Sequence, residues 1–261
     1  MRIFLVAILF SISVLLIGTP AEAASVTGIV LLHGKTGMPS QLAKLSDALT
    51  ADGYLVSTPE MCWSRKRIFD KPLPDCLAEV DAAVTQLKAK GAGRIVVGGM
   101  SQGGVATLDY ASLHPDLAGV IAMAPAADPL TPSKYPELQE SIAKARDLAG
   151  AGKGDEMTDF SDLASGKTVI VHATPNTFLS FHGSTSPIGM VRSMEDNVLP
   201  KISMPLLWVA GSEDATQKIA PDAFAAVPKN AHSRYATVDS NHEGTPNASV
   251  DIILDWLKSL P

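Results

Sequence analysis

From about position 25 onward, apolar residues along the chain follow two alternating spacings. Short apolar runs at 28–32, 94–98, 117–124 and 206–210 have the length and continuity of strands covered on both faces, and 54–57 and 233–238 read as further strands. Between them, apolar residues return every three or four positions. Leu42, Leu45 and Leu49 mark a helix between a cap at Ser40 and a stop at Gly53. Leu77, Val80, Val84 and Leu87 mark a second helix, from near Asp75 to Gly91. Another helix follows the run 94–98, and a closing helix presents Ile252, Ile253, Trp256, Leu257 and Leu260, with Asn247 as its cap. Strands alternating with helices predict an α/β fold, a doubly wound and mostly parallel sheet with helices on both faces.

One stretch, 128–204, interrupts the alternation. It holds a helical pattern at 136–148, a Gly/Ala-rich break at 150–154, and two β-like runs, 168–172 and 178–182, around Thr174-Pro175-Asn176. That turn chemistry predicts a hairpin. The segment is expected to be a small helix-plus-hairpin cap inserted in the same domain, since it offers no core of its own. No internal repeat or low-complexity tract is visible.

The first residues follow a different pattern. Met1-Arg2 precedes an apolar stretch at 3–17, and Thr19-Pro20-Ala21-Glu22-Ala23 supplies an A-x-A site. The expectation is a signal peptide at 1–23, cleaved after Ala23, and a domain at 24–261 that is periplasmic or secreted. The stretch is short for a span of about 20 residues. No stable membrane insertion is therefore expected after cleavage; a retained anchor is the alternative.

With 261 residues, 46% hydrophobic and 18% charged, the composition fits one globular domain. The formal charge of −6 provides no basic field to attract phosphates, so no nucleic-acid partner is expected. Cys62 and Cys76 are the only cysteines. In an oxidising compartment they would close one loop, worth roughly 3 kcal/mol in the chain-entropy model. Two free thiols are the other reading, and no third ligand accompanies them to suggest zinc.

The chemistry is concentrated at Gly99-Met100-Ser101-Gln102-Gly103, a G-x-S-x-G between a strand and a helix. A turn that tight holds its serine in a strained backbone conformation, and glycines flank it because a Cβ would clash there. A serine hydroxyl needs a base, and the base needs an orienting acid. Both are available in the chain order serine, acid, histidine. Asp214 lies in Gly211-Ser212-Glu213-Asp214, after the run 206–210, and His242 lies in Asn241-His242-Glu243-Gly244, after 233–238. Asp128, after the run 117–124, is a rival for the acid. Glu213 is expected on the surface.

Together with His33-Gly34 after the first run, these motifs make the chain similar to the α/β-hydrolase superfamily. Within it, the chain resembles the serine aminopeptidase and monoacylglycerol-lipase-like branch. The likeness spans 28 to the C-terminus and implies no particular substrate. It implies that the residues after His-Gly and after the nucleophile, Lys35 and Gln102, lend backbone N–H groups to an oxyanion hole, about 3–4 kcal/mol each. It also implies a cap at 128–204; the chain is expected to depart from the superfamily in its usual first antiparallel strands, which are shortened or absent.

The expected activity is a serine hydrolase cleaving a small or medium ester or related acyl substrate. Ser101 would be the nucleophile, His242 the base and Asp214 the orienting acid. No metal or organic cofactor is expected, because these groups complete the acyl transfer. An aminopeptidase or amidase of the same fold is the alternative, as is a non-catalytic binding protein, although the acid and histidine such proteins usually lose are present. His33 is expected to support its loop structurally, and His114 to be solvated. His172, His182 and His232 show no carboxylate or cysteine at metal-ligand spacing. The segment Trp63-Ser64-Arg65-Lys66-Arg67 reads either as a clamp for an anionic or aromatic group or as a solvated basic loop.

Overall fold

The computed structural model of the chain describes residues 26–125, 135–164, 167–182 and 198–261. The leader at 1–23 and Asp128 lie outside these residues.

Among the described residues, six strands form the main sheet: β1 (Val26–Leu32), β2 (Leu55–Ser57), β3 (Ala92–Met100), β4 (Gly119–Met123), β7 (Leu206–Gly211) and β8 (Arg234–Val238). Their spatial order is β2-β1-β3-β4-β7-β8, and every neighbouring pair is parallel. Among the described residues the main sheet has no antiparallel strand. The helices are α1 (Ala43–Ala51), α2 (Leu73–Ala89), α3 (Gln102–Leu113), α4 (Pro136–Gly150), α5 (Pro175–His182), α6 (Ala220–Ala225), α7 (Thr245–Ala248) and α8 (Val250–Lys258).

The unbroken apolar runs are explained by burial on both faces. In β1, Val30 and Leu32 join a core shared with α2, α3 and the β4–β7 insertion, whereas Ile29 and Leu31 face the opposite core with α1 and α8. Alternate residues of one strand thus serve two layers, and a polar residue would be buried on either side.

Helix starts depart from the sequence reading where proline intervenes. The first helical turn, Pro39–Leu42, begins one residue before Ser40, because the fixed φ of proline suits the first helical position. Asn247 does not cap the closing helix; it lies within α7, and Ser249 precedes α8.

The insertion contains the expected helix and a hairpin, but the hairpin lies one strand earlier. β5 (Thr158–Ala164) pairs antiparallel with β6 (Lys167–Ala173), from Thr158↔Ala173 to Ala164↔Lys167. The run 178–182, expected as the second strand, is part of α5. Thr174-Pro175 starts a helix here: proline is at its first position and the Thr174 hydroxyl accepts from Thr177 N–H at 3.2 Å. The insertion rests on the α2 side of the domain. Phe160 stacks on Phe178 with centroids 4.4 Å apart, and Leu73 N–H donates to Ser180 Oγ at 2.9 Å.

One buried acid on α3 is a cost to the fold. Asp109 is 7% exposed, and burial pushes its carboxyl up to about 6, against the opposing charge of Lys201. Its neutral form is the one the fold favours. Stability is therefore lost as pH rises from the unfolded carboxylate range through about 6. Asp109→Asn is expected to raise the melting temperature by a few degrees at pH 7, on the order of 1–3 kcal/mol. The gain should vanish below about pH 4. Thermal unfolding of both proteins at the two pH values checks this.

Candidate active site

The strand order reverses beside β1, which has β2 on one side and β3 on the other. A crevice opens at the C-terminal ends of strands at such a switch point. Two loops meet there: His33-Gly34-Lys35-Thr36-Gly37 after β1 and the turn at Ser101 after β3.

Ser101 has φ 56° and ψ −122°, a conformation that L residues rarely adopt. The turn can close this tightly because its flanking glycines have no side chain. A Cβ on Gly99 would run into the Gly103 carbonyl, and one on Gly103 into the Leu32 carbonyl. Ser101 N–H donates to Met123 O at 2.9 Å, which fixes the turn to β4.

The hydroxyl meets its expected partners. His242 Nε2 lies 2.9 Å from Ser101 Oγ, and His242 Nδ1 lies 2.7 Å from Asp214 Oδ2. Asp214 is itself positioned: its Oδ1 accepts from Thr216 N–H at 2.9 Å, and it is 7% exposed. Asp214, from the turn after β7, is thus the carboxylate that faces His242, and its neighbour Glu213 is exposed. Burial pulls the pKa of His242 down, but the hydrogen bond and charge of Asp214, with the charge of Glu243, outweigh it and raise the pKa above the ordinary imidazole value. Burial likewise pushes Asp214 up, and bonding to His242 and Thr216 reverses this, so its carboxyl lies below the usual range.

Lys35 and Gln102 bracket the same spot. Gln102 is the first residue of α3, directly after Ser101. A Cβ built on Gly34 would lie 3.4 Å from Ser101 Cβ, which brings the peptide preceding Lys35 alongside the serine. Among the described residues, neither N–H donates to another backbone group outside the regular ladders.

Residues 24–243 match the family described as serine aminopeptidase, S33. The chain belongs to that family. A stretch of 104 residues is 33% identical to a thermostable monoacylglycerol lipase of Bacillus sp. (strain H-257), covering 39% of this chain and 41% of the relative. The match thus spans well under half of that enzyme. Among solved structures, a monoacylglycerol lipase of Paleococcus ferrophilus superposes with a TM-score of 0.64 at 19% identity, over 89% of this chain and 94% of that one. The Est1E protein of Butyrivibrio proteoclasticus, with ferulic acid bound, gives 0.59 at 17% identity, over 91% and 92%. These likenesses show the α/β-hydrolase fold.

In this family member the loop after β1 is held from several sides, by residues that sequence reasoning missed or misread. Gln41 Oε1 accepts from Gly34 N–H at 2.9 Å, while its Nε2 donates to Glu243, next to His242, at 2.9 Å. No sequence period marks this residue. Trp63 is neither a clamp nor part of a solvated loop. It is fully buried and donates through Nε1 to His33 O at 2.9 Å, and Thr36 N–H donates to Trp63 O at 2.9 Å. Arg65 and Lys66 are exposed, but Arg67 is bound to Asp70 and Glu79. Cys62 and Cys76 form a disulfide with Cα atoms 5.8 Å apart, and both residues are fully buried.

The histidines divide by environment. His33 is structural, accepting at Nε2 from Met61 N–H at 3.0 Å, and burial lowers its pKa. His114, expected in solvent, stacks on Tyr110 with centroids 3.9 Å apart. His172 and His182 do have carboxylates: Asp159 at 2.7 Å and Asp162 at 3.2 Å. The partners stand on β5, which sequence distance concealed. Among the described residues no group of three or more His, Cys, Asp or Glu is placed to hold a metal ion, and no helix is long and apolar enough to cross a membrane.

Proposed function

We propose that this chain is a serine hydrolase that cleaves a small or medium carboxylic ester through an acyl-enzyme. The observation that carries the reading is the continuous relay from Ser101 Oγ through His242 to Asp214, at 2.9 and 2.7 Å, on a serine held at φ 56°. Ser101 Oγ attacks the carbonyl carbon as His242 Nε2 takes its proton. The oxyanion accepts from the N–H groups of Lys35 and Gln102. The intermediate collapses, the C–O bond to the alcohol breaks, and His242 returns the proton to the leaving oxygen. Water, activated by the same imidazole, then releases the acid. Asp214 keeps the proton of neutral His242 on Nδ1, so that Nε2 is free to act as base.

Esters are favoured over amides by two of the relatives, both monoacylglycerol lipases by name. The modest insertion between β4 and β7, whose described residues form two helices and a hairpin, supports a small or medium substrate. A panel of p-nitrophenyl esters of rising chain length, run beside aminoacyl-p-nitroanilides, tests both. Preferred cleavage of short and medium esters supports the reading, and faster anilide cleavage would turn it into a peptidase. A fluorophosphonate probe should label Ser101; labelling elsewhere, or none on folded protein, removes the assignment.

The raised pKa of His242 gives a further expectation. The base works only when neutral, so kcat/KM should fall as pH drops through a value above the ordinary imidazole pKa of 6.5. Glu243→Gln removes one of the charges that raise it and should move this limb to lower pH. A pH–rate profile in which the limb does not move would contradict the assignment of Glu243.

We further propose export to the periplasm or medium, with the leader at 1–23 removed. The buried disulfide supports this, since such bonds persist in oxidising compartments. Mass spectrometry of the protein purified from the periplasm checks the new N-terminus.

A further inference from the structure

Asp162 is a charged residue at a position where β5 turns a side chain inward. The residue is 1% exposed and its side chain wholly enclosed. Its carboxylate holds Lys35 Nζ with both oxygens, at 2.9 and 3.0 Å. Oδ1 also accepts from Leu163 N–H at 2.7 Å. His182 Nε2, at the end of α5, stands 3.2 Å from the same Oδ1, off-line for a hydrogen bond. Phe69 closes the cluster: Lys35 Nζ lies 5.7 Å from its ring centroid, and the ring packs against Phe181 at 4.5 Å. Burial alone would push Asp162 up, but the charges of Lys35 and His182 outweigh it and hold the carboxyl below its usual range.

Four segments therefore converge on one buried charge. They are the loop after β1, the loop 61–72, the hairpin and the end of α5. Fold stability alone does not account for this arrangement. Removing two charges from water is costly, and a buried pair often stabilises no better than apolar side chains of equal volume. What the pair supplies is an anchor: a carboxylate enclosed on β5, with both oxygens within 3.0 Å of Nζ, ties the Lys35 side chain to that strand. Lys35 is also the residue whose backbone N–H the proposed reaction uses.

We propose that Asp162 is a positioning residue: by holding the Lys35 side chain from the hairpin, it sets the Lys35 N–H for the oxyanion and couples the seating of the cap to turnover. The inference rests on the ester-hydrolase reading above. Asp162 touches no reacting atom and acts only through Lys35. Other supports of that loop, among them Gln41 on Gly34 and Trp63 on Thr36, hold it on either side of Lys35. The Lys35–Asp162 contact fixes its middle, and it alone of these three reaches into the insertion.

The test uses the full protein and p-nitrophenyl butyrate, with kcat, KM and melting temperature measured for wild type, Asp162→Asn and the double variant Lys35→Met/Asp162→Leu. If the wild type turns over no ester, the parent reading fails and not this one. With an active wild type, Asp162→Asn should lower kcat by about tenfold or more, with KM changed by less than about twofold, the pattern of a loss made in the transition state. The double variant removes both charges together and should recover most of the melting temperature without recovering kcat. Should Asp162→Asn not fold, the double variant decides alone. Wild-type kcat in either folded variant, or kcat that recovers in step with melting temperature, would reduce Asp162 to a structural residue and overturn the proposal.

Discussion

Ser101→Ala is expected to lower kcat by about four to six orders of magnitude, since the three members of such a relay act as a unit and little remains when one is lost. Alanine keeps the Cβ and removes only Oγ, so φ 56° and its strain remain. The melting temperature should therefore stay near that of the wild type. Ser101→Gly separates the two properties. Glycine adopts this conformation without penalty, and the strain relieved is on the order of 1–3 kcal/mol. It should be equally inactive and more stable, by roughly 2–4 °C for each kcal/mol in a domain of this size. Kinetics and thermal unfolding of the two variants check the pair. Residual activity within about a hundredfold of wild type would remove Ser101 from the nucleophile's role, since loss of the oxyanion contacts alone would account for that much. An unchanged melting temperature in the glycine variant would show that the turn carries no strain.

The parts of this arrangement that could be read in the chain are those whose determinants are local. Ser101 is flanked by its own glycines, and Asp214 and His242 each follow a short segment with the composition of a strand. Chain order then brings all three to one sheet edge. The hairpin was misread for an equally local reason. Thr174-Pro175 fits a turn as well as a helix start, and only the backbone decides between them. β5 escaped notice because Asp162 sits where the alternation of Phe160 and Ala164 calls for an apolar side chain. A charge at that register conceals a strand until its partner is known, and the partner, Lys35, lies 127 positions away. Gln41 and Glu243, 202 positions apart, pose the same problem. No period or spacing in one sequence encodes such pairs; they follow from which loops the sheet order places side by side.

The disulfide also has a wider reach than its place in the sequence suggests. Residues 61–65, on either side of Cys62, bind the loop after β1 at four points. Met61 N–H donates to His33 Nε2 and Trp63 Nε1 to His33 O, while Trp63 O and Gly37 O accept from Thr36 N–H and Arg65 N–H. Cys62 lies in the middle of this set. Replacing Cys62 and Cys76 together by serine removes a cross-link worth roughly 3 kcal/mol and should lower the melting temperature by about 5–10 °C. The loss should extend to catalysis. With its entry into α2 untied, the segment 61–65 holds Lys35 less firmly, and kcat should fall by about tenfold, the scale of a partly misaligned oxyanion donor. Asp214 and His242 follow β7 and β8 respectively and make no contact with this loop in their own hydrogen bonds. The acid limb of the pH profile should therefore stay where it is while kcat drops. Thiol titration of unreduced, denatured wild type first establishes the bond, and kinetics of the double serine variant below its melting transition then measures the effect. An unchanged kcat in that variant would mean the four hydrogen bonds hold the loop without the cross-link, and would confine the role of the disulfide to stability.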